Sequence, residues 1–230
     1  LLAQAELHDG LIPFLRPDRW RSPSGAPWPV LDEFATGCVL EHAGYQIGPL
    51  VSIFGPVRHV TATQALLTPE KAAGAGAREI RAPDLALALL EFDAGVAAQI
   101  SISIVAPRSH LLRVVGTAGF LTVSDVMNND ARLSFSITGT SRVARATRRM
   151  EGWLTRWLPG VTLGGGLKIA RWRHGRRAAT MDFSGGIAAL NAAIAAGDPQ
   201  RAAWLALHVT EVTLALQDGA QAGLRQTMSR

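Results

Sequence analysis

Apolar and polar positions alternate most clearly in residues 96–105, where Ile100, Ile102 and Ile104 interleave with Gln99, Ser101 and Ser103. A period of two gives a strand with one buried and one polar face. Residues 85–92 precede it across Asp93-Ala94-Gly95, a short link that predicts a hairpin. Residues 111–115 and 120–123 predict a second hairpin around Gly116-Thr117-Ala118-Gly119, with further strands at 57–67 and 133–137. The middle of the chain therefore reads as an antiparallel meander. The period changes between Asp32 and Phe54, where Phe34, Cys38, Leu40, Ile47, Leu50 and Val51 predict one helix. Asp32 would cap it, and Gly55-Pro56 would stop it. Near the end, Ile187, Leu190 and Ile194 are spaced by three and four and predict a helix closed by Gly197. Pro199 suits the first turn of the next helix, with Trp204, Leu207, Val212, Leu214 and Leu216 as its core face. Residues 1–28 carry Pro13, Pro17, Pro23 and Pro27 and read as loop. The fold class expected is α+β: a predominantly antiparallel mixed sheet with helices packed on one face.

Composition supports one folded domain over residues 1–230, with 48% hydrophobic and 18% charged residues. No apolar run is long enough to span a bilayer, and no basic leader opens the chain. Cys38 stands alone, which excludes an internal disulfide and a thiolate cluster and fits a reducing, cytoplasmic setting. Its plain role is that of a small buried apolar residue.

Charge changes the picture in one place. The net charge is +5, yet ten basic residues and only Glu151 among acids lie between Arg142 and Arg177. The rest of the chain carries 13 basic and 17 acidic residues. The basic character thus belongs to an insertion at about 140–180, with residues 142–158 readable as an exposed basic helix and 161–175 as glycine-rich and irregular. Trp153, Trp157 and Trp172 interleave with the arginines, a pattern that suits nucleic acid or an anionic membrane. No nucleic-acid motif accompanies it and the remainder is acidic. The expectation is therefore a solvated insertion or a partner-docking segment, with neither nucleic acid nor membrane as partner.

Candidate chemistry centres on Gly37-Cys38-Val39-Leu40-Glu41-His42-Ala43-Gly44-Tyr45. Glu41 and Tyr45 are four apart and share a helix face, so a carboxylate and a phenol stand side by side. Such a pair can bind a hydroxyl and handle its proton. His42 points about 100 degrees away on a regular helix and is a less natural partner for both. His42 and Asp32 are candidates for contact with a hydroxylated ligand. Trp28 and Trp20 could stack on a sugar ring or simply cover a core edge. His110 and His208 read as structural. No metal is expected, because neither a His-x-x-x-His pair nor an acidic ladder occurs.

The segment resembles the Gly-x-x-x-Asp-x-Gly-x-His motif of the Gfo/Idh/MocA oxidoreductases, the family of glucose–fructose oxidoreductase and inositol dehydrogenase. Three more blocks agree in order. Residues 84–92, 95–103 and 114–123 resemble the family's hairpins with their Gly-Thr-x-Gly turn. Met181-Asp182-Phe183, Gly186-Ile187 through Gly197, and His208, Glu211-Val212 and Gly223 resemble its two closing helices. The resemblance covers most of the chain except residues 142–180.

It implies a C-terminal substrate-binding and oligomerisation domain, similar to those of dihydrodipicolinate reductase and glyceraldehyde-3-phosphate dehydrogenase. The implied parent protein is an oxidoreductase acting on a sugar, polyol or related compound. NAD or NADP would be bound mainly by a nucleotide domain that this chain lacks. Homo-oligomerisation through the sheet face is implied as well. Residue by residue, Gly37 matches the leading glycine, Glu41 stands for Asp, Ala43 for Gly, and Tyr45 for the acid/base His. Tyr occupies that last position in the glucose–fructose oxidoreductase branch. The family's catalytic lysine belongs to the missing domain, and Glu70-Lys71 lacks its proline. A phenol with a reference pKa of about 10 needs such a cation to work near neutrality. The alternative reading is a non-catalytic oligomerisation or binding module, and the chain alone is expected to be inactive.

Overall fold

The computed structural model describes residues 1–72, 80–128, 131, 133–137, 145–146, 149–150, 153, 185–222 and 226–229. The expected basic helix, the glycine-rich segment and the Met181 block fall outside the described residues except for those few positions.

Among the described residues, nine strands form one mixed sheet: β1 (Leu2–Leu11), β2 (Val57–Ala65), β3 (Leu85–Phe92), β4 (Ala97–Ser103), β5 (Val105–Ser109), β6 (Leu112–Val115), β7 (Gly119–Val123), β8 (Leu133–Ile137) and β9 (Gln226–Thr227). Their order is β8-β7-β6-β1-β4-β3-β2-β9, with β5 also pairing β1. Both expected hairpins are present, β3–β4 in register from Leu85↔Ser103 to Glu91↔Ala97 and β6–β7 from Leu112↔Val123 to Val115↔Phe120. The fold class is as expected, an α+β domain with a mostly antiparallel sheet.

The first correction concerns residues 1–28. Its opening is not loop but β1, which sits inside the sheet, parallel to β4 and antiparallel to β6. Ala3, Ala5 and Leu7 alternate onto the buried face. Alanine has weak strand preference, so two neighbouring ladders, rather than local propensity, hold this segment extended.

The second correction concerns the single helix expected from Asp32. The structure has three: α1 (Val30–Thr36), α2 (Cys38–His42) and α3 (Gly44–Phe54). Asp32 lies in the first turn of α1 and does not cap it. The break falls at Gly37, whose φ is +84°, and a Cβ there would come within 2.9 Å of the Ala82 Cβ. Cys38 N–H donates to Pro83 O at 3.2 Å, which fixes the turn against that distant loop.

Two closing helices, α4 (Gly185–Ala195) and α5 (Pro199–Ala222), follow the sheet strands β1–β8. α2, α3 and α5 pack on the sheet face that carries Ala3, Leu7, Val60, Leu90, Ile100 and Ile102. On the other face, Leu87 and Leu89 are exposed. Val212 and Leu216 are buried as the spacing in α5 predicts, but Leu207 and Leu214 are exposed. Ile187, Leu190 and Ile194 of α4, expected as a core face, are exposed as well. Their three-and-four spacing reports a helix and not its burial. Among the described residues, no helix is long and apolar enough to cross a membrane.

Candidate active site

Gly37 starts α2 in the orientation that carries the motif onto the sheet. Ala43, at the joint between α2 and α3, keeps helical angles (φ −58°, ψ −36°), so Glu41 and Tyr45 stay one turn apart. Pro49, inside α3, has no N–H to offer the Tyr45 carbonyl four residues back. Glu41 and Tyr45 line an open groove of about 480 Å³. Leu40 and Gly44 share their wall, and Val209, Thr210, Thr213 and Leu214 of α5 form the opposite one. Tyr45 is half exposed, at 48%.

Threonines on this far wall escaped the sequence reading. They lie three apart, beside the buried Val212–Leu216 face, a spacing visible in the sequence but without meaning until α5 is placed against α2. Thr210 Oγ1 donates to Ala206 O (2.9 Å) and Thr213 Oγ1 to Val209 O (2.8 Å). With their protons directed at the backbone, both hydroxyls keep acceptor lone pairs. No Lys or Arg lines the groove among the described residues.

Glu41 is held among other acids. Burial, a hydrogen bond with the Glu33 carboxyl and the charges of Glu33 and Asp9 push its carboxyl up to about 9. It is thus a protonated, donor-capable acid near neutrality. His42, one residue on, is buried and does not line the groove. Its Nε2 meets Asp9 Oδ2 at 2.5 Å, and its Nδ1 lies 3.7 Å from Glu41 Oε2 with no hydrogen-bond partner. The pair judged less natural on an ideal helix is therefore adjacent, because the two side chains lean together over β1.

Asp9 continues the chain of contacts. Its Oδ1 meets His110 Nε2 at 2.9 Å, and His110 Nδ1 meets Asp125 Oδ1 at 3.1 Å. The His42 hydrogen bond, helped by both imidazoles, holds the Asp9 carboxyl down at about 2 against the effect of burial. Sequence reasoning missed Asp9 because it stands in the stretch read as loop.

The other candidates fall elsewhere. Asp32 is exposed, and neither it nor Trp28 lines the groove. Trp28 packs edge-on against Phe34 (5.9 Å between centroids) and lies 5.2 Å from Trp20. His208 accepts from Val57 N–H (2.9 Å) and meets Glu211 (3.1 Å), which ties α5 to β2. Cys38 is buried, and burial pushes its thiol up to about 12, as suits an inert apolar filler.

A helix joint with Glu and Tyr one turn apart, laid over a mixed sheet with a Gly-Thr-x-Gly hairpin, is the arrangement that the motif implied. Residues 15–122 match the family described as GFO/IDH/MocA C-terminal domain. Over that stretch, just under half of its length, the chain is similar to a GFO/IDH/MocA C-terminal domain. No curated protein matches the chain. Solved structures do. An oxidoreductase domain protein from Kribbella flavida superposes with a TM-score of 0.61 at 15% identity, covering 100% of this chain and 58% of its own. The aldose-aldose oxidoreductase of Caulobacter crescentus, complexed with glycerol, gives 0.58 at 14% identity, covering 99% and 55%. An inositol dehydrogenase homolog from Azotobacter vinelandii, complexed with NADH and myo-inositol, gives 0.57 at 16% identity, covering 99% and 56%. At these identities the likeness shows the fold. The chain spans little more than half the length of each of these structures.

Proposed function

We propose that this chain is the substrate side of an NAD(P)-dependent oxidoreductase acting on a neutral hydroxylated compound, a sugar or polyol. The single observation that carries the reading is the groove shared by Glu41 and Tyr45. It offers a phenol, a protonated carboxyl and two acceptor hydroxyls, with no cation to pair with an anionic ligand among the described residues. Such a wall satisfies groups that both donate and accept, which is the chemistry of a hydroxyl. Its glycerol-bound and myo-inositol-bound structural relatives support the substrate class.

Tyr45 exchanges the proton of the reacting hydroxyl, and Glu41 orients that hydroxyl or Tyr45 itself. The described residues do not form a dinucleotide cradle: their one parallel pair, β1–β4, is not followed by a glycine-rich turn into a helix. A nicotinamide that takes up or returns the hydride would therefore be held mainly by another domain. His42, Asp32 and Trp28 would contribute from behind or beside the groove rather than by lining it. The sheet face with Leu87 and Leu89, shallow and exposed beside Thr61 and Thr63, is the surface proposed for self-association.

In the complete parent protein, Tyr45→Phe is expected to lower turnover at least about tenfold with binding little changed. Unchanged turnover overturns the role. Titrating the chain with myo-inositol should shift the Tyr45 and Glu41 resonances, whereas self-association without any such shift would favour the binding-module alternative.

A further inference from the structure

We propose that Glu41 and His42 form an internal proton-exchange pair, with Asp9 fixing the imidazole tautomer, so that Glu41 can face the groove as either donor or acceptor without a proton from solvent. The inference deepens the reading of the Glu41–Tyr45 groove and rests on it for its purpose, though not for its test.

The geometry begins at Asp9. Its carboxylate reaches His42 Nε2 at 2.5 Å, and a carboxylate only accepts, so the ring proton of neutral His42 sits on Nε2. Nδ1 is then a bare lone pair. It is buried, has no hydrogen-bond partner, and lies 3.7 Å from Glu41 Oε2. A buried acceptor without a donor costs roughly 1–3 kcal/mol. One donor within reach is a proton on Glu41, whose carboxyl burial and the neighbouring Glu33 push up. A small rotation of the Glu41 carboxyl from Glu33 toward His42 closes the gap.

The step balances. The O–H bond of Glu41 breaks and an N–H bond forms at His42 Nδ1. Glu41 becomes a carboxylate and His42 an imidazolium, which now donates from Nδ1 to Glu41 and from Nε2 to Asp9. The sum of charge over Glu41, His42 and Asp9 is −1 before and after, so the transfer needs no counter-ion or solvent proton. With the proton on Glu41, the side chain donates to an oxygen in the groove. With the proton on His42, it accepts from a hydroxyl there.

The groups facing this pair come from every element around it. Glu33 of α1 lies beside Glu41 and raises its carboxyl, Tyr45 of α3 lines the same groove, and Asp9 of β1 holds the ring. His110 and Asp125 extend the contacts behind Asp9, and Arg108 lies 4.0 Å from Asp125. His8, which meets Ser101 at 2.8 Å, and Cys38 are further titratable groups in this region. Nothing on the α5 wall titrates, since its groove residues are Val209, Thr210, Thr213 and Leu214. His42 is thus a positioning residue: it lies behind the groove and acts through Glu41.

The test is a titration of the 230-residue chain by NMR, with carboxyl-labelled glutamate and ring-labelled histidine, from about pH 4 to about pH 10. Two groups that share one proton titrate together. The expected result is that the Glu41 carboxyl and the His42 Nδ1 resonances move in a common step, followed by a second step at lower pH. Glu41→Gln and His42→Gln should each leave the remaining partner with a single step. Asp9→Asn should release the ring into a mixture of tautomers. A parent chain in which His42 carries its neutral-state proton on Nδ1, or in which the two groups titrate independently, overturns the proposal even if every variant misfolds. A chain with the shared step that fails to bind any polyol would retain the pair and sink the substrate reading instead.

Discussion

Asp84 and Glu41 are both acids drawn out of water, and the fold treats them in opposite ways. Asp84 is fully buried, yet its two oxygens accept from the backbone N–H groups of Leu67 (2.7 Å) and Thr68 (2.8 Å). The buried Lys71 Nζ lies 3.9 Å away and also donates to Ala82 O. Burial pushes the Lys71 ammonium down, and the Asp84 charge works against that. Each oxygen has a donor, and the cluster holds Leu67, Thr68 and Lys71 against Ala82 and Asp84, beside Gly37. Glu41 has other acids for neighbours and an orphaned imidazole nitrogen beside it. A satisfied buried acid holds structure. An acid at the rim of a groove, with other acids and an unpartnered imidazole nitrogen beside it, is placed to change its proton.

The largest expected effect follows from the satisfied acid. Asp84→Asn keeps the shape but replaces one acceptor by a donor facing a backbone N–H, and it leaves Lys71 as an unpaired buried cation. Breaking a buried pair on one side costs about 3–5 kcal/mol. Urea unfolding of the variant should lose most of that amount. A loss under about 1 kcal/mol would show that the cluster takes up water on substitution, and the contrast with Glu41 would weaken.

Gly37→Ala is expected to cost somewhat less, about 1–3 kcal/mol. The φ of +84° is unfavourable for a side chain, and the new Cβ meets Ala82 Cβ at 2.9 Å. Both costs fall on the joint that aims α2. The Glu41 resonance should therefore shift in this variant, whereas in Asp84→Asn the change should concentrate at Leu67, Thr68 and Lys71. Equal perturbation at both places would mean the two acids are parts of one unit.

These residues also mark how far the sequence could be read. The β3–β4 and β6–β7 hairpins were legible because their alternation and turn residues are local. β1 was not, because Ala3 and Ala5 say little by themselves and are held extended by β4 and β6. The break at Gly37 is imposed by Ala82 and Pro83, which lie far along the chain. For the site, Glu41 and Tyr45 followed from their spacing, since the helical joint at Ala43 preserves it. Thr210 and Thr213 depended on how α5 packs, and Asp9 depended on β1. What the sequence hid is what non-local contacts decide. The exposed Ile187, Leu190 and Ile194 make the same point in reverse: periodicity names an element and leaves its partner open.

The smallest of the three effects is also the one that separates the acids by pH. A folded Glu41 carboxyl near 9 against an ordinary value of 4.5 means that, between those limits, the folded chain binds more proton at this site than the unfolded chain. The stability it contributes is fully present below about pH 4.5 and is lost as pH rises through about 9. Asp9 runs the other way. Held at about 2 against an ordinary 3.8, it contributes stability above about pH 3.8 that is lost as pH falls through about 2. Glu41→Gln should therefore flatten the decline of the urea midpoint from weakly acidic to alkaline pH and leave the acid limb untouched, while Asp9→Asn should flatten the acid limb. Because the Glu41 carboxyl is partly open to solvent, the change in slope should be modest, a few tenths of a kcal/mol per pH unit. A Glu41→Gln chain whose alkaline slope matches the parent would place that acid with Asp84 as a structural group, and the distinction between a held proton and a movable one would be lost.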